Sequence, residues 1–335
     1  MPKPGALAIC QHGFEELLLR EMGSLGLGPG PSGPGWATCE SGDVGRSAFT
    51  HLGLEAPDLV SGAGVNELAQ RLEEAFSSGI RGERIEGPWP CFFDGRQEAV
   101  GLGRRVASVE KAFHTLLRRK LGRVERLSRP DRPRIGPARG FFVWFTDFGE
   151  AYASCSALMN GQRRMADDDA APSRSYLKVE EAYGLVGAEP VPGESVCDLG
   201  AAPGGWSYSA AKRGARVVAV DNGPLKGGAL GNPLVEHRQA DAFGFRPEAG
   251  AAFDWLFCDM LEDPRRILTS IVRPWLSEGW CRRFIINLKF GRVDPVELLA
   301  ELRGGDSAFA RFGTGVRITH LYHDREELTV TGMTK

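Results

Sequence analysis

Residues 198–206 read Asp-Leu-Gly-Ala-Ala-Pro-Gly-Gly-Trp. The residues just before them, 195–199, are short and apolar enough for a strand, and 204–213 read as a helix. The glycine-rich stretch is therefore a strand-to-helix turn. Beyond it the alternation continues, with strands expected at 216–221, 237–241, 253–259 and 284–289 and a helix at 264–276. Short apolar strands separated by helices build a parallel, doubly wound, Rossmann-like α/β sheet. Two closing runs, 317–322 and 327–331, are joined tightly and predict an antiparallel edge.

In doubly wound sheets ligands bind outside the carboxyl ends of the strands, beside the first such turn. This turn is neither G-x-G-x-x-G nor the Gly-Lys-Ser/Thr of a phosphate loop. It has no lysine and begins with an acid, Asp198, while Gly200, Ala202, Pro203, Gly204 and Gly205 let backbone approach a ligand closely. Such a turn suits a ligand with an ammonium and no phosphates, a description that S-adenosylmethionine meets. Asp221, about twenty residues on, ends the second expected strand and could accept hydrogen bonds from ribose hydroxyls. Asp241 ends the third, where a carboxylate could meet an adenine amino group.

Four further residues fall at the same edge. Lys178 precedes a helix, Asp259 ends the fourth expected strand, Lys289 ends the apolar run Ile285-Ile286-Asn287-Leu288-Lys289, and Glu326 and Glu327 open the last strand. Lysines are rarely placed at the end of a buried strand for packing reasons. Methyl transfer to a ribose hydroxyl needs a base, and a lysine serves only when its pKa falls well below its ordinary ~10.4. The expectation is that Lys289 takes the proton, that Lys178 lowers its pKa, and that Asp259 and the glutamate orient the amines.

The N-terminal half reads as α+β, with a strand at 6–10, helices at 13–22, 65–77 and 105–121, and a strand at 140–146 (GFFVWFT). Residues 23–35 are crowded with glycine and proline and are expected to be a loop. Although the chain's formal net charge is only −2, residues 104–139 hold twelve Lys/Arg against three acids (Glu110, Glu125, Asp131). Arg118, Arg119, Lys120, Arg123, Arg126, Arg129, Arg132 and Arg134 form a stripe suited to nucleic-acid phosphates. The expected division is an N-terminal unit over 1–160, a polar linker over 161–175 and the doubly wound unit over 176–335. Seven widely spaced cysteines with no C-x-x-C pair argue against a disulfide framework or a zinc site. With no signal peptide and no membrane-length apolar run in the sequence, the expected location is the cytoplasm and no metal is expected.

The order Lys178, Asp259, Lys289, Glu327 behind GAAPGGW resembles the Lys-Asp-Lys-Glu tetrad of the FtsJ/RrmJ-like RNA 2′-O-methyltransferases. Within that family the segments APSRSYLKVEEA, VDNGP, CDM, GWCR, NLK and LYHDREELTV, over about residues 165–335, are similar to the RlmM-type enzymes of large-subunit (23S) ribosomal RNA. The resemblance implies 2′-O-methylation of a cytidine in that RNA, with S-adenosylmethionine as cofactor. It implies cofactor contacts from Ser175, Ala202, Pro203, Gly204, Gly205, Asp221, Asp241 and Asp259, to which the turn itself adds Asp198, Gly200 and Trp206. It also implies Lys289 as proton acceptor. Two adjacent glutamates compete for the last tetrad place; the Leu-Thr-Val that follows favours Glu327. More loosely, HGFEELLLREM and the basic stretch resemble that family's THUMP-containing RNA-binding region. Rival readings are a small-molecule methyltransferase, a base N-methyltransferase, and a non-catalytic RNA-binding or ribosome-assembly factor that keeps the cofactor pocket. The Asp259-Met260-Leu261 turn is not the Asn/Asp-Pro-Pro-aromatic turn usual in base N-methylation.

Overall fold

A computed structural model describes residues 3–130, 133 and 135–335. Asp131, Arg132 and Arg134 of the basic stretch lie outside the described residues. The chain divides into two compact units, Met1–Gly161 and Gln162–Lys335.

The first unit contains β1 (Ala6–Ile9), α1 (Glu15–Ser24), β2 (Pro29–Gly33), β3 (Trp36–Cys39), β4 (Leu52–Glu55), β5 (Asp58–Ser61), α2 (Val65–Gly79), β6 (Trp89–Gly95), α3 (Leu102–Leu127), β7 (Ser128–Arg129), β8 (Gly136–Asp147) and β9 (Glu150–Met159). Among the described residues its strands run in the order β2-β3-β1-β4-β9-β8-β6-β7, with β5 also paired to β9. The GFFVWFT run is buried throughout because β8 is covered on both faces. Phe141, Val143 and Phe145 meet Leu72 and Phe76 of α2 and Val109, Phe113 and Leu117 of α3. The alternate residues Phe142 and Trp144 meet Leu52, Leu54, Trp36 and Tyr152.

The expected loop over 23–35 is corrected here: it contains β2, which pairs with β3 as a hairpin in which Gly33 faces Trp36. Proline donates no ladder hydrogen bond, yet β2 is the outermost strand, where Pro29 and Pro31 cost little. The basic helix is also longer than its apolar spacing suggests. α3 continues through a kink at Leu121 (φ −135°, ψ 55°), so its charged end follows a different direction from its packed start.

The second unit contains α4 (Tyr176–Val186), β10 (Ser195–Leu199), α5 (Gly205–Lys212), β11 (Arg216–Val220), β12 (Val235–Arg238), β13 (Phe253–Cys258), α6 (Pro264–Ile267), α7 (Arg273–Ser277), β14 (Cys281–Lys289), α8 (Pro295–Arg303), α9 (Ala308–Phe312), β15 (Gly313–Thr319) and β16 (Glu327–Thr334). The strand order is β12-β11-β10-β13-β14-β16-β15. The first five pair in parallel, and β16 enters antiparallel between β14 and β15. Successive strands run outward from β10 and then resume on its other side at β13. That reversal leaves a crevice at the carboxyl ends of β10 and β13.

Residues 161–175, expected as a linker, form no helix or strand but are tied to the second unit. The Arg163 N–H donates to Glu181 Oε1 (3.0 Å), and Asp168 Oδ2 accepts from the Tyr208 hydroxyl (3.0 Å) and from Lys212 Nζ (2.5 Å). All seven cysteines are free thiols. Among the described residues no helix is long and apolar enough to cross a membrane.

Phe113 is fully buried and its ring lies 5.2–6.0 Å from those of Phe76, Phe93 and Phe141. Phe113→Ala is expected to cost the first unit about 3–5 kcal/mol, the range for an aromatic removed from a core. Urea unfolding followed by circular dichroism measures this, and a loss below about 1 kcal/mol would contradict the packing described.

Candidate active site

Four side chains from α4, the end of β13, the end of β14 and the start of β16 meet at one edge of the second sheet. Lys178 Nζ lies 2.6 Å from Glu327 Oε1 and 3.6 Å from Asp259 Oδ2. Lys289 Nζ lies 2.5 Å from Asp259 Oδ1 and 2.5 Å from Glu327 Oε2. Each ammonium thus sits between the same two carboxylates. Strand register brings one pair together, because Lys289 and Glu327 face each other across the antiparallel β14–β16 ladder. The neighbouring Glu326 is exposed and contributes a backbone carbonyl to Phe290 N (2.9 Å). The glutamate in the cluster is therefore Glu327.

The expected depression of the Lys289 pKa is corrected by this geometry. Burial pulls it down, but the Asp259 and Glu327 carboxylates outweigh burial and hold the ammonium above its usual range. Burial pushes Glu327 the other way, yet Lys178 and Lys289 hold its carboxyl below the ordinary value. In the protein without ligands the cluster is a set of interleaved opposite charges.

A second set of contacts, not singled out in the sequence, fixes the lysine from behind. Lys289 Nζ also donates to Asn287 Oδ1 (2.7 Å). The Asn287 amide in turn donates to Asp324 Oδ1 (3.1 Å) and to the Thr329 hydroxyl (3.0 Å), and all three residues are buried. Asp324 also accepts from the Leu321 N–H (2.9 Å). With Asp259, Glu327 and Asn287 around it, every ammonium proton of Lys289 has an acceptor. The only signal for this layer was an asparagine inside an apolar strand. Buried Glu181 does comparable work for α4, accepting from the N–H groups of Arg163, Tyr322 and His323 (2.8–3.1 Å). Burial pushes its carboxyl up to about 7 against those three bonds.

The glycine turn lies at the adjoining strand ends. Gly204 has φ +106°, and a Cβ there would stand 2.6 Å from the Ala229 Cβ. A Cβ on Gly205 would stand 2.9 Å from the Ser173 and Ser175 hydroxyls, so only glycine lets α5 begin there. The Gly200 N–H donates to Val220 O (3.0 Å), and Pro203 O accepts from Lys226 N (2.9 Å). Asp198 is buried and accepts from the Ser207 hydroxyl (2.6 Å). Burial pushes its carboxyl up to about 7, Ser207 opposes this, and Asp259 adds to it. Asp221 accepts from the Ala202 N–H (3.0 Å) and the Gly223 N–H (2.7 Å), clasping the turn to the end of β11.

Two expected cofactor residues stand differently from the sequence reading. Trp206 is in the core against Phe257 and donates its indole N–H to Ser175 O (2.9 Å), and the Ser175 hydroxyl lies 2.8 Å from that of Ser173. Asp241 is exposed and three residues past the end of β12, where it accepts from Phe243 N (3.0 Å) and caps a turn. The narrow glycine turn and the acids at the edge, with no lysine in the turn, fit a cationic, phosphate-free cofactor.

The sequence model of the FtsJ-like methyltransferases matches residues 171–273, the stretch from before α4 to the start of α7. A ribosomal RNA large subunit methyltransferase M of Thauera aminoaromatica is 34% identical over 361 aligned positions, covering 97% of this chain and 94% of that protein. The chain belongs to the large subunit methyltransferase M family. The proteins of the same name from Halorhodospira halophila (45% over 200 residues, 58% of this chain and 57% of that protein) and a Marinomonas strain (41% over 197 residues, 56% and 55%) match over about half of their lengths. As a member of this family the chain is a methyltransferase dependent on S-adenosylmethionine.

Asn287→Ala would leave Lys289 with two of its three acceptors. The expected result is a ten- to hundredfold fall in kcat with cofactor affinity unchanged, in keeping with the cost of a small misplacement of a reacting group. Asn287→Asp should not restore the rate, because a third carboxylate at Lys289 would hold its proton more tightly. Single-turnover assays and calorimetry on the same preparations check both.

Proposed function

We propose that this protein methylates a ribose 2′-hydroxyl of large-subunit ribosomal RNA, at a cytidine. The observation that carries the reading is the meeting of Lys178, Asp259, Lys289 and Glu327 at the edge beside the glycine turn. The related large subunit methyltransferases support the RNA class. Cofactor contacts are assigned to Ser175, Asp198, Gly200, Ala202, Pro203, Gly204, Gly205, Asp221 and Asp259. Bound S-adenosylmethionine supplies an electrophilic methyl group.

A ribose hydroxyl attacks well only as its proton leaves, and Lys289 is the acceptor in this reading. Lys289 must first release to solvent the proton that Asp259 and Glu327 hold on it. A hydroxyl entering the cluster displaces one carboxylate from Nζ, and added positive charge at the same edge pushes the pKa down further. Lys178 keeps Glu327 and Asp259 occupied meanwhile, so the carboxylates do not follow Lys289. Asn287 fixes the direction of the Nζ protons that remain.

The α+β unit is read as a THUMP-like RNA-binding unit and the second as the catalytic one, in a protein of the cytoplasm with ribosomal RNA as its partner. Arg118, Arg119, Lys120, Arg123, Arg126 and Arg129 are all exposed. Arg118 is paired with Glu125 (2.8 Å) and Lys120 with Glu73 (2.5 Å), and Arg129 bonds the Arg126 and Ser128 carbonyls. Among the described residues Arg119, Arg123 and Arg126 have no carboxylate partner, so they carry the phosphate-binding assignment.

Labelled cofactor incubated with deproteinised ribosomal RNA should label one alkali-resistant dinucleotide and no free nucleoside; label on a base would defeat the reading. Lys289→Ala should abolish transfer while cofactor binding persists. The raised Lys289 pKa sets the pH dependence. The neutral fraction is small at pH 7 and grows tenfold per pH unit, so kcat/KM should climb with near-unit slope from pH 7 to 10. kcat, which reports the loaded complex, should level off at lower pH. A kcat/KM plateau below pH 8 would show that the base is not this lysine.

Replacing Arg119, Arg123 and Arg126 by Gln should weaken RNA binding tenfold or more. It should also reduce the slope of log affinity against log salt by about 2–3, as three lost phosphate contacts require. Filter binding at several salt concentrations measures both.

A further inference from the structure

The connection from β12 to β13 passes over β11 and β10 with no helix in it. Parallel strands are usually joined through a helix, which covers the sheet. Here residues 239–252 run as turns and extended chain, and Phe245 fills part of the space by stacking on Trp275 (6.5 Å, 19°). Between this connection and the helical stretch that begins with α6 and ends with α7 lies a groove of about 540 Å³.

Three guanidiniums line it. Arg246 donates to the Phe243 and Phe245 carbonyls (2.8 and 2.7 Å) and sits over the Trp280 ring. Arg266 lies 3.9 Å from the centre of the Phe243 ring and pairs with Glu262 (2.5 Å). Arg273 is exposed and has no carboxylate partner among the described residues. Among the described residues Glu262 is thus the one carboxylate paired with these three arginines. Thr269 and Ser270 belong to a π-helical turn, Leu268–Val272, between α6 and α7, and they join the groove wall. Such turns recur at functional sites.

The groove also has a direction. Arg266 comes seven residues after Asp259, and α6 starts from the carboxyl end of β13, the edge where the tetrad sits. From Arg266 to Ser277 the helical stretch runs about 16 Å at the usual rise per residue.

We propose that this groove holds backbone phosphates of the RNA strand on one side of the nucleotide presented to Lys289. The inference rests on RNA being the substrate. It adds a contact surface on the catalytic unit that is separate from the basic helix of the first unit. Arginine suits the role because its planar donors match phosphate oxygens while one face stays stacked on an aromatic ring.

The test compares the wild type with R246Q/R266Q/R273Q, and with R273Q alone in case the triple variant folds poorly. Affinity for a single-stranded RNA containing the methylated site is measured from 50 to 300 mM salt, beside thermal unfolding and cofactor binding. The triple variant should lose tenfold or more in affinity, and its salt slope should fall by about 2, at roughly 0.7 per phosphate contact on a single strand. R273Q should reduce the slope by about 0.7. Unchanged slopes in folded protein would overturn the proposal. So would normal methylation of naked RNA with a loss confined to assembling particles, which would make the groove a protein-docking surface. Failure of the wild type to methylate ribosomal RNA would sink the functional reading instead, since the salt slope is read without turnover.

Discussion

Two ammoniums alternating with two carboxylates, Lys178–Glu327–Lys289–Asp259, are the interaction around which the second unit is arranged. None of these charges could be buried alone, because desolvating an unpaired ion costs several kcal/mol. Together they neutralise one another, and so they can sit at a half-enclosed sheet edge. The same neutralisation holds Lys289 protonated. In the reaction proposed for Lys289, the arrangement that makes the cluster tolerable in the folded protein is the one that must loosen. That ties the start of a reaction to the arrival of something that competes for the carboxylates.

The surrounding structure supplies the rigidity such a cluster requires. Asn287, Asp324 and Thr329 form a buried polar layer behind Lys289, and Glu181 anchors α4, which carries Lys178, to the segments at 163 and 322–323. Asp221 fastens the glycine turn to the end of β11. Each supporting group reaches across from a different element, so the side chains at the edge are held by several parts of the sheet at once.

Much of this was legible in the sequence because the relevant signals are local. The glycine turn, the apolar strands and the acids and lysines at their ends report a doubly wound sheet and its crevice before any packing is known. What could not be read depends on partners distant along the chain. The Pro29–Gly33 strand looks like loop until its position at the edge of a sheet removes the objection to proline. Asp241 looks like a strand end because β12 stops three residues sooner than its composition suggests. The Lys289 pKa shift has the opposite sign to the expectation, since distance to the carboxylates, not the presence of a second lysine, decides it. Three of the twelve basic residues of 104–139, Arg118, Lys120 and Arg139, also proved to be paired with Glu125, Glu73 and Glu83, the last two of which lie outside that stretch.

The antiparallel insertion of β16 has one more consequence. Because it runs against β14, its first residue and not its last reaches the reactive edge, and the ladder alone aligns Glu327 with Lys289. The helices α8 and α9 between them take no part in that ladder, although the same excursion ends in β15, which pairs with β16, and in the 321–324 segment that supports Asn287 and Glu181. Evolution is free to lengthen, shorten or rebuild its helical part, whereas a one-residue shift within β16 would turn Glu327 to the opposite face.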